Sequence, residues 1–467
     1  MKILDKILNN QKISTITKSI NALHIVKIHS AYTKRQIGFF TIINKLIKKI
    51  LSFFITILNI LINNFIPEEK FPKAKILIIS HFVNHDYLNS NNDFYFGNFE
   101  KLLKAYNYSS CKIMINHTDY SSYYLRKRKK KKNIFFLNKK LNFFNELKIL
   151  LSQVFSIIEL ILLLFKKEIN LNSFLNLSLS LFDSSTSFSL RMNFQIRDIV
   201  KKVKPKYCIL TYEGYSWERS TINAIKSVNP DIKCIGYQHT SLTSNHNSIF
   251  KTLKGNFNPD QIWCSQLKSF KLLNKKIRKN KIYLIGSFKK IPKTRSKIIN
   301  NKILVIPEGI YSECEKLFNL CLKIALKNKN LLFIWRVHPV INIKKVLQNL
   351  KLKMSQLPRN IKISNKSFEY DINNTSIAIY RGSTAILKCF AMGNFPIYFD
   401  DQSEKNFDPL KDIVLKKNYI SNEREFTAFL KKIKNKQLRN MIMNKIPNVI
   451  KNFFVKPNIR MIKLKLK

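Results

Sequence analysis

Between Lys73 and Asp401 the chain alternates short continuous apolar runs with longer amphipathic stretches. KAKILIIS (73–80), CKIMINH (111–117), YCILTYE (207–213), KCIGYQH (233–239), DQIWCS (260–265) and YLIGSF (283–288) read as strands, the first of them as a buried parallel strand. Helical patterns fall between them, near 96–107, at FQIRDIVKKV and near 217–228. A second series follows: KILVIPEG (302–309), a helix to about 328, LLFIWRV, another helix, IKIS (361–364), TSIAIYRGST (375–384), a helix through Cys389, and FPIYFDD (395–401). Two successive sets of alternating strands and helices predict an α/β protein of two doubly wound, Rossmann-like domains.

The departures from alternation mark the boundaries. Residues 1–70 are basic and helical in pattern, and the first domain occupies 71–290. Inside it, about 118–190 reads as a largely helical insertion that carries the run RKRKKKK (126–132). The polar, basic segment IPKTRSKIINN (291–301) links to a second domain ending near 422, and a helical tail (423–467) is expected to pack along the outside. Two apolar stretches are flanked by lysines: LSFFITILNILINNFI (51–66) and ILLSQVFSIIELILLLF (149–165). Both fall short of the roughly 20 apolar residues of a spanning helix, and both contain polar residues, including Asn59, Gln153 and Glu159. Each is either buried against the protein's own core or an interfacial helix beside anionic lipid.

Charge widens the list of partners. The 467 residues carry a net charge of +55, which suits nucleic acid, an anionic membrane surface or a phosphorylated substrate. The excess is mostly Lys, accompanied by abundant Asn, Ile and Phe and only 9 Gly, so compositional drift on solvated faces accounts for it equally well. No zinc-finger spacing, RNP-type aromatic motif or basic zipper is present, which argues against sequence-specific nucleic-acid reading. The seven cysteines are scattered without a CxxC pair, as expected of reduced, cytoplasmic thiols rather than a disulfide frame or a zinc site. The N-terminal MKILDKILNNQKISTITKSI lacks the apolar core of a secretory signal. Neither GxxxxGK[ST] nor GxGxxG occurs, which argues against P-loop and dinucleotide chemistry.

Candidate chemistry lies where the strands end. His81 ends the first strand, Glu213 and Gly214 another, and Gln238 and His239 a third. In the second series, Arg336, His338 and Pro339 end one strand, and Arg381, Gly382, Ser383 and Thr384 end another. Ligands of doubly wound domains sit beyond these carboxyl ends and in the cleft between domains. The RGST turn leads into a helix whose first N–H groups, with the Ser383 and Thr384 hydroxyls, suit phosphate oxygens; a plain N-cap would use the same residues. Pro339 fixes the turn after His338 and removes a competing donor, leaving His338 to donate to a nucleotide phosphate or ribose. Arg336 either touches that ligand or salt-bridges internally.

Glu213, at a strand tip before a glycine that permits close approach of a substrate, suits a general base if burial raises its pKa. Glu218, one helical turn on, is the rival base or a structural helix-start carboxylate. His239 is a further base or acceptor contact, and Gly214, Gln238 and His81 complete the acceptor side. No DxD-type pair points to a metal, and Asp400 with Asp401 reads as a strand-end turn.

With these residues in hand, the chain resembles GT-B glycosyltransferases of bacterial surface-carbohydrate synthesis. The likeness is to the sialyltransferase-like and Kdo-transferase-like group that uses CMP-activated acidic sugars. That group carries an acidic-acidic-Gly motif, an HP motif and a later Ser/Ser or Ser/Thr pair. Tyr212-Glu213-Gly214, His338-Pro339 and Ser383-Thr384 stand here in the same order, and the likeness covers roughly residues 73–420. It implies metal-independent, inverting transfer from a nucleotide-sugar to a glycan or lipid-linked acceptor, without a cofactor; the basic face and apolar helices would hold such a cytoplasmic protein at the inner face of the cell membrane. The acidic residue would act as base, while HP and the hydroxyl pair would hold the nucleotide phosphate. One departure is Tyr212 at the first acidic position, which leaves the identity of the base open. Other activities on the same fold are a nucleotide-sugar epimerase, which needs a fuller set of acidic and basic groups around the sugar, and a glycerophosphotransferase. A non-catalytic anion-binding protein would instead lack a convergent pocket.

Overall fold

The structure, a computed structural model, describes residues 2–24, 70–83, 93–128, 134–243, 247–277, 281–289, 291–295, 300–402, 408–411 and 418–466, with scattered positions at 40–58, 88 and 413. Much of the 51–66 stretch, 129–132 of the lysine run and 296–299 of the linker lie outside the described residues.

The first sheet is entirely parallel and holds β1 (Ile76–Phe82), β2 (Ser110–Asn116), β3 (Ile134–Phe136), β4 (Tyr207–Thr211), β5 (Lys233–Gln238), β6 (Gln261–Cys264) and β7 (Lys281–Leu284). Their spatial order is β3-β2-β1-β4-β5-β6-β7. The second sheet is also parallel, with β8 (Lys302–Ile306), β9 (Leu332–Trp335), β10 (Ile361–Ile363), β11 (Ile377–Tyr380), β12 (Phe395–Phe399) and β13 (Tyr419–Ile420) in the order β10-β9-β8-β11-β12-β13. Each half begins at the middle of its sheet, runs to one edge, and returns to build the other side. The reversals fall between β1 and β4 and between β8 and β11, where doubly wound sheets open a crevice at their carboxyl ends. The chain is therefore the expected pair of Rossmann-like α/β halves.

Burial explains why these runs are strands. Ile76, Leu77, Ile78 and Ile79 of β1 are all fully buried, so both faces of the strand meet helices and alternation disappears. β-Branched Ile suits such a pleated, two-sided environment.

Two strands had no forecast in the pattern. β3 lies inside the segment expected to be a largely helical insertion, and its three residues are too few to stand out after a lysine run. The rest of that segment is helical, at Phe143–Phe165, Leu171–Leu181 and Ser184–Val203. β13 is shorter still. The C-terminal tail does more than line the outside. Phe426, Phe429, Ile442, Val449 and Phe453 enter the core of the second half, whereas Ile462 and Leu466 enter that of the first. Between them, Val455 accepts from the Ser287 amide at 2.8 Å and Ile285 accepts from the Asn458 amide at 2.7 Å. The tail thus crosses back and joins the halves.

Candidate functional site

The loop after β4 is held from both sides. Glu218 Oε2 accepts from the amides of Glu213 and Tyr215, each at 2.8 Å. Arg219, only 1% exposed, donates to the carbonyls of Gly214 (3.2 Å), Ser248 (2.8 Å) and Lys251 (2.6 Å). Adjacent residues at the start of the Ser216–Val228 helix therefore grip the loop's N–H groups and its carbonyl. Gly214 belongs to this clamp. Its φ is +83°, and a Cβ there would lie 2.6 Å from the Ser248 backbone. The close approach expected of a substrate is made by the protein's own chain. Glu218, the rival base, spends its carboxylate on the loop.

Glu213 is thereby presented at the strand end with its carboxylate buried. It accepts hydrogen bonds from the Thr240 and Tyr215 hydroxyls. Burial raises its pKa above the ordinary glutamate value, and the two hydroxyls only partly oppose that shift. Burial also pushes Glu218 well up, aided by the charge of Glu213. Tyr212, which stands at the first acidic position of the motif, is 1% exposed and packs in the apolar core, where a Cβ on Gly236 would meet it at 2.7 Å. Strand alternation carries that position away from the cleft, which leaves Glu213 as the motif's acid at the edge.

Around Glu213 the same sheet edge gathers rings. His81 Nε2 lies 2.8 Å from Thr211 Oγ1, and its Nδ1 lies 2.9 Å from Nε2 of His117. Tyr95 meets His81 at 4.8 Å and His239 edge-on at 4.8 Å, while Trp217 stands edge-on to His81 at 5.1 Å. Burial lowers the His81 pKa to about 3, with a further push from His117. Burial likewise holds His239 well below its ordinary value, and the charges of Lys289 and His81 add to this. Both rings are neutral at physiological pH. The His239 Nδ1 and Gln238 Oε1 atoms are buried without a hydrogen-bond partner, which leaves each able to meet a ligand group.

The edge of the second sheet differs. Arg381 is buried in a network with Glu313 and with Asp401 Oδ1 at 2.8 Å, and Lys316 joins Asp401 at 2.9 Å. Arg336 pairs with Asp371 Oδ2 at 2.6 Å and donates to the Lys366 carbonyl at 2.8 Å. Both arginines expected at the phosphate are thus engaged within the protein, and Asp401 serves this network besides ending a strand. Gly382 adopts φ +69°, and a Cβ there would lie 2.7 Å from Glu308 Oε1. A Cβ on Gly309 would lie 2.9 Å from Nδ1 of His338. The ends of β8, β9 and β11 therefore converge on Glu308, His338 and Gly382. Burial lowers the His338 pKa, while Pro339 is exposed in the turn that follows. Ser383 is buried and Thr384 exposed, and the helix begins only at Ile386, so both hydroxyls sit in the turn before it rather than in its first turn.

The two edges lie within electrostatic reach of one another. The charge of Glu213, then burial, then the charges of Glu218 and Glu308 push the Tyr215 phenol well above its ordinary range; Glu308 reaches it from the opposite half. Sequence reasoning missed Glu308 and Gly309, which end KILVIPEG, and His117, which follows CKIMIN. The strand-end rule that found His81 would have found all three. Tyr95, Arg219 and Lys289 had no such signal.

The class defined by this geometry is a doubly wound α/β protein with its polar residues along the cleft between two Rossmann-like halves. No known family model and no curated protein matches the chain. Among solved structures it is similar to the glycosyltransferase of kitacinnamycin, at 8% identity over 84% of this chain and 98% of that one, with a TM-score of 0.46. It is also similar to UDP-GlcNAc 2-epimerase from Neisseria meningitidis bound to UDP-GlcNAc, at 12% identity over 84% and 99% with a TM-score of 0.49. A third is MurG from Acinetobacter baumannii, at 11% over 85% and 99%, with a TM-score of 0.44.

Proposed function

We propose that the protein is a glycosyltransferase that takes a sugar from a nucleotide donor, with CMP-activated acidic sugars favoured, and delivers it to a glycan or lipid-linked acceptor of a surface polysaccharide or lipopolysaccharide. One observation carries this reading: a buried carboxyl of raised pKa, Glu213, held on a clamped loop and facing a second sheet edge across the cleft. A base of raised pKa takes a proton from an acceptor hydroxyl near neutral pH, as metal-independent inverting transfer requires. His338, Gly382 and the Ser383 and Thr384 hydroxyls form the donor side, with backbone and hydroxyl groups meeting the phosphate in place of the paired arginines. His81, Gln238 and His239 take the acceptor side.

The test is a thermal-shift panel of CMP, CDP, UDP and GDP on the wild type and His338→Ala. Stabilisation by CMP that the substitution abolishes is the expected result. No response to any nucleotide overturns the reading.

A second reading on the same fold, a nucleotide-sugar epimerase, is favoured by one feature. The cleft edges hold Glu213, Glu308, His81, His117, His239 and His338, more acid–base groups than one deprotonation needs. Incubation of the responding nucleotide-sugar in deuterated water separates the two. Deuterium entering the sugar without nucleotide release favours the epimerase; release only in the presence of an acceptor favours the transferase.

A further inference from the structure

The Phe143–Phe165 helix has its polarity reversed. Its two acids and its glutamine point inward: Glu146 pairs with Arg191 at 2.6 and 2.9 Å, and Gln153, fully buried, donates to the Leu181 carbonyl at 2.7 Å. Glu159 accepts from the Ser14 hydroxyl at 2.6 Å and from that of Thr17. The outward positions are Phe144 (70% exposed), Leu151, Phe155 (65%), Ile158, Leu162 and Phe165 (79%). Phe144 stands apart at the helix start, with exposed Lys148 after it; from Leu151 the positions recur every three or four residues and so form one stripe, about 20 Å long. Leu171, at the start of the next helix, extends it.

Water is a poor neighbour for such a stripe, which is as contiguous as a docking surface needs to be. The charges around it choose the occupant. Lys139, Lys140 and Lys148 before the stripe and Lys166 and Lys167 beyond its end are all exposed, against one exposed carboxylate, Glu168, while both carboxylates of the helix are turned inward and bonded. A second copy of the chain would set these lysines against their own kind, on a molecule of net charge +55. An anionic surface with an apolar interior satisfies the rim and the stripe together. The inner face, bonded to protein, keeps the helix from crossing.

We propose that the Phe143–Phe165 helix lies along an anionic lipid bilayer, its outer stripe in the acyl boundary and its flanking lysines among the headgroups. The proposal is independent of the sugar-transfer reading, because its measurement requires no turnover. Full-length protein is sedimented with vesicles of phosphatidylcholine alone or with about one third phosphatidylglycerol. The wild type is expected to partition at least ~10-fold more strongly onto the anionic vesicles. Phe155→Ser/Ile158→Ser/Leu162→Ser should lose that partitioning, and Lys166→Gln/Lys167→Gln should weaken it. A single Phe155→Trp variant, read by quenching from bromine-labelled acyl chains, provides a second measurement should the triple variant fail to fold. Equal binding to both vesicle types, binding unchanged by the triple substitution, or an indole that bromolipid does not quench would overturn the proposal. So would a dimer in lipid-free solution that the triple substitution dissolves, since the occupant would then be a second copy.

Discussion

The two halves share a strand order but treat charge at their strand ends in opposite ways. In the second half, Arg381 is matched by Glu313 and Asp401, and Arg336 by Asp371. In the first half, Glu213 has hydroxyl partners and no guanidinium, and His81 and His239 are buried neutral. Paired charges stabilise an arrangement that is already complete; a buried carboxyl held only by hydroxyls keeps a displaced pKa available for proton transfer. One topology therefore supplies a compensated edge, suited to holding, and an uncompensated edge, suited to chemistry.

Glu213→Gln tests the uncompensated edge most severely. Turnover of the donor identified by nucleotide screening should fall roughly 10²- to 10⁴-fold. Stability should move the other way. A carboxyl whose pKa is raised on folding favours the folded state below its unfolded value near 4.5, and that advantage is lost as pH rises through the folded value. The variant, which has no charge to desolvate, should therefore melt above the wild type at mildly alkaline pH, and the gain should vanish towards pH 4.5. A variant that lost activity and was also destabilised at alkaline pH would mark Glu213 as structural.

The compensated edge is tested by Arg381→Met. It leaves Glu313 buried without its guanidinium, while the partly exposed Asp401 keeps Lys316 at 2.9 Å; breaking a buried pair costs on the order of 3–5 kcal/mol, read by urea denaturation. Arg336→Met should cost less, because Arg336 is partly exposed and Asp371 keeps the Ser364 hydroxyl at 2.7 Å. If Arg381→Met were as stable as the wild type but had lost its nucleotide response, the arginine would belong to the ligand and the contrast between the halves would fail.

That contrast was only half legible in the sequence. The apolar runs carried the sheets, because fully buried parallel strands leave an unmistakable mark, and the same runs put Glu213, His239 and His338 at the carboxyl ends of their strands. What they could not convey was which polar residues answer one another. Arg381 meets Glu313 across 68 residues, and Glu218 looks like a base until its oxygen is seen on the 213 and 215 amides. Short strands such as Ile134–Phe136 and the return of the tail through Val455 and Asn458 depend on tertiary partners, so no local period announces them. The reversed polarity of Phe143–Phe165 was hidden for a related reason. Its sequence shows an apolar helix with two acids, and only the fold reveals that the acids face in.

The smallest effect sharpens the comparison by pH. His24 and His81 are lowered to about 3 by burial, and His239 falls well below its ordinary value; all three lie outside the second half. Each binds a proton readily when unfolded, near pH 6.5, and resists one when folded. The contribution of His24 and His81 to stability is complete above pH 6.5 and declines as pH falls from there towards 3, by up to about 1.4 kcal/mol per pH unit for each, and His239 acts in the same direction. His24, whose ring nitrogen lies 2.8 Å from the Lys18 carbonyl, anchors the N-terminal segment. Its replacement by Asn should flatten this acid limb without altering turnover, as measured by denaturant midpoints across the range. In the second half, His338 is the one histidine among the described residues, so probes placed there should melt later on acidification than probes beside His24. Simultaneous loss of both signals would mean that the tail couples the halves into one cooperative unit, and the difference in charge between the two edges would then carry no difference in stability.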